Sequence, residues 1–421
     1  MAHRHFPVRP NLDQLKNQAK DLLRAFRCGD PDAISDFRDF QSKPIDSLTV
    51  RLAEAQFVLA RSYGLPSWPR MVTACRMTDA IFRGDLETVR AMVLREPRLL
   101  DEDARGVKGN WGPPMSYAAN LGQDAIIEML RGLGASDMQY AFGRACLQGK
   151  IASARKLHTM MGCPRPPDHE LSGPAYTLNV EGTALLLELG ARLYDQNGKP
   201  LAPVDVVLET DSRNTWAKHR ILELYVEYGF KLPDTPAMAI HRGRIDLLEE
   251  HLRRDPHLLK RTFTHQEIYP LELGCHDEVL ATHGTPLAGA TLLHMCADYD
   301  EIEIARWLLG RGMKADERAA VDLEGFGGHT ALFATVVSQP NFWLNHYGQT
   351  PEAPFTRLLL DHGANPNARA SLRKQLHPGY GVEGMHVYRD LTPIGWGERF
   401  HFKKLVNIAA MQLIAERGGQ P

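Results

Sequence analysis

The sequence has no cysteine pair at CxxC spacing; its six cysteines, Cys28, Cys75, Cys146, Cys163, Cys275 and Cys296, are scattered. That argues against a disulfide framework or a cysteine-rich zinc module and points to reduced, mostly buried thiols. No window approaches the roughly 18 apolar residues of a membrane span, and MAHRHFPVRPNLDQL holds no apolar core of a signal peptide. A cytoplasmic location is the expectation. Neither sign of charge is in excess: Lys plus Arg is 49 against 51 for Asp plus Glu, which argues against general binding to nucleic acid or an anionic membrane. The catalytic signatures GxSxG and HExxH are missing. The glycines of DLEGFGGHT, Asp322–Thr330, lack phosphate-loop spacing and a preceding strand, so they read as a flexible finger. The chain is therefore expected to be no enzyme, with no cofactor and no metal.

What is present is material for a core, 43% hydrophobic with 24% charged, arranged at helical spacing. The clearest stretch is Gly289–Asp316, GATLLHMCADYDEIEIARWLLGRGMKAD. Thr291 caps a first helix, Asp300 marks a turn, and Ile302, Ile304, Ala305, Leu308 and Leu309 form the apolar face of a second helix. Gly312 ends it. One such pair cannot bury its own apolar face, so similar units must flank it. They do, in a series from Thr78 to the C-terminus, with turns expected at Gly84, Gly122, Gly149, Gly182 and Gly243. Ahead of them, LDQLKNQAKDLLRAFRCGD and Leu52–Tyr63 predict amphipathic helices, with Trp68 as a core anchor. The expected division is a helical cap over 1–76 and a repeat array with C-terminal insertions over 77–421.

The period is about 33 residues where no insertion intervenes, as paired short helices with a connector require. GATLLHMCADYDEIEIARWLLGRGMKAD and FTRLLLDHGANPNAR resemble ankyrin repeats. Leu292 stands where that family has proline, Ala331 departs likewise, and Thr392 with Pro393 keeps the family pair. The lead-in resembles the N-terminal helical segment of some bacterial ankyrin-repeat proteins. The resemblance implies an all-α solenoid of stacked helix-turn-helix units whose first helices line a concave face. It also implies that His294 serves the repeat rather than a metal with Asp298, although the two lie four residues apart.

Carried over unit by unit, the family's outward positions before each turn include Phe82 and Arg83, Asn120, His241 and Arg242, and Asp298 and Tyr299. Aromatic and Arg side chains suit a protein-binding surface, so the expected partner is a protein. Two C-terminal insertions concentrate further polar and aromatic groups, among them Trp343, His386, Tyr388 and Asp390, followed by Trp396, Glu398, Arg399 and His401. Long insertions in repeat arrays are often functional. Trp343, Trp396, Glu398, Arg399 and His401 join the partner-binding set. The alternative is a small-molecule or enzymatic site there, with Glu398 or Asp390 paired to His386 or His401.

Overall fold

Several helix starts in this chain are set by short polar side chains that satisfy orphan backbone N–H groups. Asn11 accepts from the amides of Asp13 and Gln14, Ser67 from Arg70, and Thr235 from Met238. Left-handed glycines end several helices, Gly84 and Gly122 among them. The computed structural model describes residues 4–41, 46–210, 214–279, 283–339, 352–382 and 384–421. The chain is mostly helical and divides into two compact units, Met1–Arg165 and Pro166–Pro421. No helix among the described residues is long and apolar enough to cross a membrane.

In the first unit, α1 (Leu12–Arg27), α2 (Pro31–Phe40) and α3 (Leu52–Ser62) pack together around Phe26, Phe37, Val58 and Leu59. The sequence pattern missed α2, which buries Ala33 and Phe37 and packs Phe40 against the same cluster. Trp68 opens α4 (Trp68–Arg83) and packs against the apolar clusters of this bundle. Three helix pairs follow: α4 with α5 (Leu86–Arg95), α6 (Pro114–Leu121) with α7 (Asp124–Gly132), and α8 (Met138–Leu147) with α9 (Ile151–Met160). First helices α4, α6 and α8 stack in a row, and α5 packs on α7.

The second unit repeats the device with more irregularity. The pairs are α10 (Ser172–Tyr176) with α11 (Val180–Glu188), α12 (Val204–Glu209) with α13 (Thr215–Glu227), and α14 (Pro236–His241) with α15 (Ile245–Arg254). A single-turn helix, α16 (His265–Ile268), precedes α17 (Leu292–Tyr299) and α18 (Ile302–Gly310). Then come α19 (Ala331–Val336), α20 (Pro354–Asp361), α21 (Pro393–Arg399) and α22 (Ile408–Glu416). Helices α14, α17, α19 and α21 stack in sequence. The turn expected at Gly182 falls elsewhere. Gly182 lies buried inside α11, and Leu178 makes the turn at φ 50° with Asn179 capping the helix. A side-chain cap outweighed the glycine signal.

The insertion before α21 is not helical. It forms an antiparallel hairpin of β1 (Ala370–Lys374) and β2 (His386–Leu391), with a register shift between Ala370 and Leu372. The Asp322–Thr330 finger is pinned rather than loose. Asp322 Oδ1 accepts from the amides of Glu324 and Phe326, and the Gly327 amide donates to the Ser371 carbonyl at 2.8 Å. Gly327 is required there: its φ is 115°, and a Cβ would collide with the Ala320 carbonyl oxygen.

Two buried histidines fasten successive units of this stack. His294 Nδ1 accepts from Thr291 Oγ1 at 2.8 Å, and its Nε2 donates to the His329 carbonyl at 3.0 Å. His329 Nε2 in turn donates to the Pro286 carbonyl at 3.0 Å. The histidine of the repeat pattern therefore works as architecture. Burial pushes His294 down to about 3, and the nearby His329 pushes the same way. Since its folded pKa lies below the unfolded value, its contribution is complete above about pH 6.5 and is lost as pH falls from there toward 3. Between pH 7 and pH 5 this one group is expected to cost about 2 kcal/mol of stability. Chemical denaturation at the two pH values measures the difference, and His294→Gln is expected to reduce it; an unchanged slope would remove His294 as its source.

Candidate functional site

The positions nominated before the turns divide by burial. Asn120 is buried, donating to the Ser116 carbonyl at 2.8 Å and accepting from Arg144 at 2.9 Å. His241 is buried, with Nε2 donating to the Ile268 carbonyl at 2.9 Å. Asp298, Tyr299 and Trp396 are buried as well. These five side chains are turned inward, so none presents itself to a partner. Phe82 is half-buried beneath the Arg9 guanidinium at 4.3 Å, and Arg83 is exposed beside Asp79. Arg242 is half-buried on Glu223, whereas Glu398 and Arg399 are exposed. Trp343 lies outside the described residues.

The turn after Tyr299 is held from within. Lys218 Nζ lies 2.7 Å from Glu301 Oε1, with side-chain exposures of 0% and 3%, and His219 Nε2 reaches the same oxygen at 2.8 Å. The ammonium also sits 3.3 Å from the centre of the Tyr299 ring. Tyr299 donates its hydroxyl to the Leu208 carbonyl at 2.7 Å. Burial alone would raise the Glu301 carboxyl, but Lys218 and His219 outweigh it and hold the group below its ordinary range. Tyr299 thus anchors α17 to α12.

The insertions do bring two of the nominated histidines together. His386 and His401 stack with ring centres 3.8 Å apart, and Tyr388 shares a 2.6 Å hydrogen bond with His401 Nδ1. Burial pushes His401 down to about 4, with the His386 and Lys374 charges adding to the effect. Asp390 instead pairs with Arg369 at 2.8 Å, and Glu398 points to solvent. The acid–base pair weighed from sequence has in its place a histidine pair capped by a tyrosine.

A second polar group, missed in the sequence reading, lies deeper. It joins His265 on α16, Glu278 and His283 in the loop that follows, Asp298 on α17 and Lys374 at the end of β1. His283 Nε2 donates to Glu278 Oε1 at 2.9 Å, and Lys374 Nζ lies 3.6 Å from the same oxygen. Lys374 also donates to the Glu278 carbonyl at 3.2 Å. The His265 and Tyr269 rings stack at 5.2 Å, and Tyr269 donates a long 3.4 Å hydrogen bond to Asp298. Burial would raise Glu278, yet His283 and Lys374 hold it far below the ordinary carboxylate range. Burial lowers Lys374, and Glu278 and Asp298 counter that shift. A cavity of about 420 Å³ adjoins this group, with Glu278, His329, Phe326 and Lys374 in its wall. His265, Glu278 and His283 follow no metal-ligand spacing, so no sequence signal singles them out.

Removing the Lys218 ammonium would strand a buried carboxylate with only His219 beside it. Lys218→Ala is expected to cost about 3–5 kcal/mol in urea denaturation. Lys218→Met with Glu301→Leu is expected to recover most of the loss. A single-variant cost within error of zero would show that the ion pair is not what holds the turn.

No family model matches the chain, and no curated protein matches it. Among solved structures, the human ASB11 ankyrin repeat domain aligns with 73% of this chain and 99% of its own, at 15% identity and a TM-score of 0.27. So loose an overlap adds nothing to the fold, which rests on the paired and stacked helices themselves.

Proposed function

We propose that the chain is a noncatalytic recognition scaffold that binds a partner protein. One observation carries this reading: an apolar group left in solvent on the second unit. Leu323 at the fingertip is fully exposed, Val321 is 61% exposed, and Val387 on β2 is 56% exposed. Met385 lies beside them and lines the same cavity as Val321. The finger and hairpin are joined by Arg373, which binds Asp322 at 2.8 Å and Glu324 at 2.5 Å. Between them the Phe326 ring meets the Arg389 guanidinium at 3.8 Å and that of Arg373 at 4.8 Å.

Scattered exposed apolar residues need no explanation, but these lie on two elements tied together by Arg373 and flanked by charge, the composition of a docking surface. Its supports are rigid, because the finger is hydrogen-bonded to β1 and the hairpin is paired, so little ordering entropy opposes binding. The concave repeat face expected from the ankyrin resemblance would add Arg242, Glu398 and Arg399 as contacts on the second unit, and Phe82 and Arg83 as separate contacts on the first.

The second reading, a small-molecule site in the C-terminal insertions, is favoured by the stacked His386 and His401 with Tyr388 against them. The two separate by mutation. Leu323→Glu and Val387→Glu are expected to abolish capture of the cognate partner at unchanged thermal stability, with Arg389→Ala weakening it by about tenfold. His401→Ala is expected to leave capture intact. Retained capture in both glutamate variants would overturn the fingertip surface. Turnover of a metabolite lost on His401→Ala would overturn the noncatalytic reading.

A further inference from the structure

The group formed by His265, Glu278 and His283 is not satisfied as an ordinary structural network. His265 is only 5% exposed, yet neither of its ring nitrogens has a hydrogen-bond partner. Leaving buried polar atoms unmade costs about 1–3 kcal/mol each. Oε2 of Glu278 is also without a partner, and it faces His265 Nε2 at 3.8 Å. Close by, Asp298 is 1% exposed and its Oδ1 is likewise unsatisfied. All three are groups of the kind that ligate metals, and two of them, His265 and Glu278, face each other.

The donor geometry is close to what an ion needs. One ligand atom from each of His265, Glu278 and His283 lies within 4.8 Å of the other two. Tetrahedral zinc with bonds of 2.0–2.2 Å would set its ligand atoms roughly 3.3–3.6 Å apart. His283 Nε2 to Oε1 is shorter than that at 2.9 Å, and His265 Nε2 to Oε2 is longer at 3.8 Å. Seating one ion would require the Glu278 carboxylate to turn, lengthening the first contact and shortening the second. We propose that His265, Glu278 and His283 bind one divalent transition-metal ion of the zinc type.

Two histidines and one glutamate form a neutral-nitrogen and carboxylate set that suits zinc, and the same set with open positions suits iron(II). The charge balance favours a cation. Two carboxyl groups, Glu278 and Asp298, stand against the single ammonium of Lys374. Lys374 opposes the ion: its Nζ approaches Oε1, the oxygen that His283 also reaches, and leaves Oε2 toward His265. Coordination needs a bare Nε2 on His283, so the proton now donated to Oε1 moves to Nδ1. The adjoining cavity, whose wall includes Glu278, offers the ion an entry path and room for water as a further ligand.

The six thiols could also take up zinc, so the test uses the full chain with the exposed Cys28 and Cys163 changed to serine. Protein stripped with a chelator is titrated with Zn2+ by calorimetry and with Co2+ by visible absorption. The expected result is one equivalent of either ion, a weak Co2+ ligand-field spectrum without thiolate charge transfer, and a rise in melting temperature with Zn2+. His265→Ala, Glu278→Gln and His283→Ala are each expected to weaken binding by about 100-fold or more. Far-UV circular dichroism identifies any variant that fails to fold, and the wild-type Co2+ spectrum then decides alone. Absence of uptake of Zn2+, Co2+ and Mn2+ by the folded protein would overturn the proposal. So would thiolate charge transfer, or uptake unchanged in all three variants. Any of these outcomes would make the group a buried ion-pair network centred on Lys374.

Discussion

Each repeat helix in this chain is too short to stand alone, and its apolar stripe is wider than one partner can cover. The α17–α18 pair shows the consequence. Every residue of α17 from Leu292 to Tyr299 is buried, because α14, α18 and α19 close around it. Stacking is therefore the condition for the pair to exist. The polar ties follow from it: once α17 is enclosed on all sides, its polar side chains must find partners inside. His294 takes the next unit's backbone and Tyr299 takes the carbonyls of α12, while Glu301, in the turn that follows, takes Lys218.

The same enclosure separates scaffold from surface. Positions that face outward in a regular repeat are covered here where the units are elaborated, and so Asp298, Tyr299, His241 and Trp396 became packing residues. Trp396 donates its indole N–H to Thr285 at 3.1 Å, and Thr285 donates onward to the Val337 carbonyl at 2.7 Å. The loop-rich interval before α17 and the β1–β2 hairpin supply much of that cover. What they cover is unusually polar, and what they leave exposed, the fingertip and the outer edge of β2, is unusually apolar.

Much of the helical framework was legible because it depends on local spacing and capping. Thr291, Asp300 and Gly312 mark the ends of α17 and α18 where the pattern put them, and His294 takes the structural role that the repeat resemblance implied. The misses have local causes too. At Gly182 the Asn179 cap prevailed, whereas α2 carried Ala33, Phe37 and Phe40 at helical spacing behind an Asp30 cap and was legible in principle. The candidate site was less legible. His265, Glu278 and His283 lie in a stretch without periodicity, and Lys374 reaches them from a strand nearly a hundred positions later.

The sequence by itself determined that short helices pair, where most of them begin and end, and which faces must be covered, since these follow from periodicity and backbone hydrogen bonding within a few residues. Only the tertiary structure decided which polar groups are enclosed and what they meet. That depends on how the insertions fold back over the stack, and no local pattern encodes the distance from Lys374 to Glu278 or the burial of Asp298.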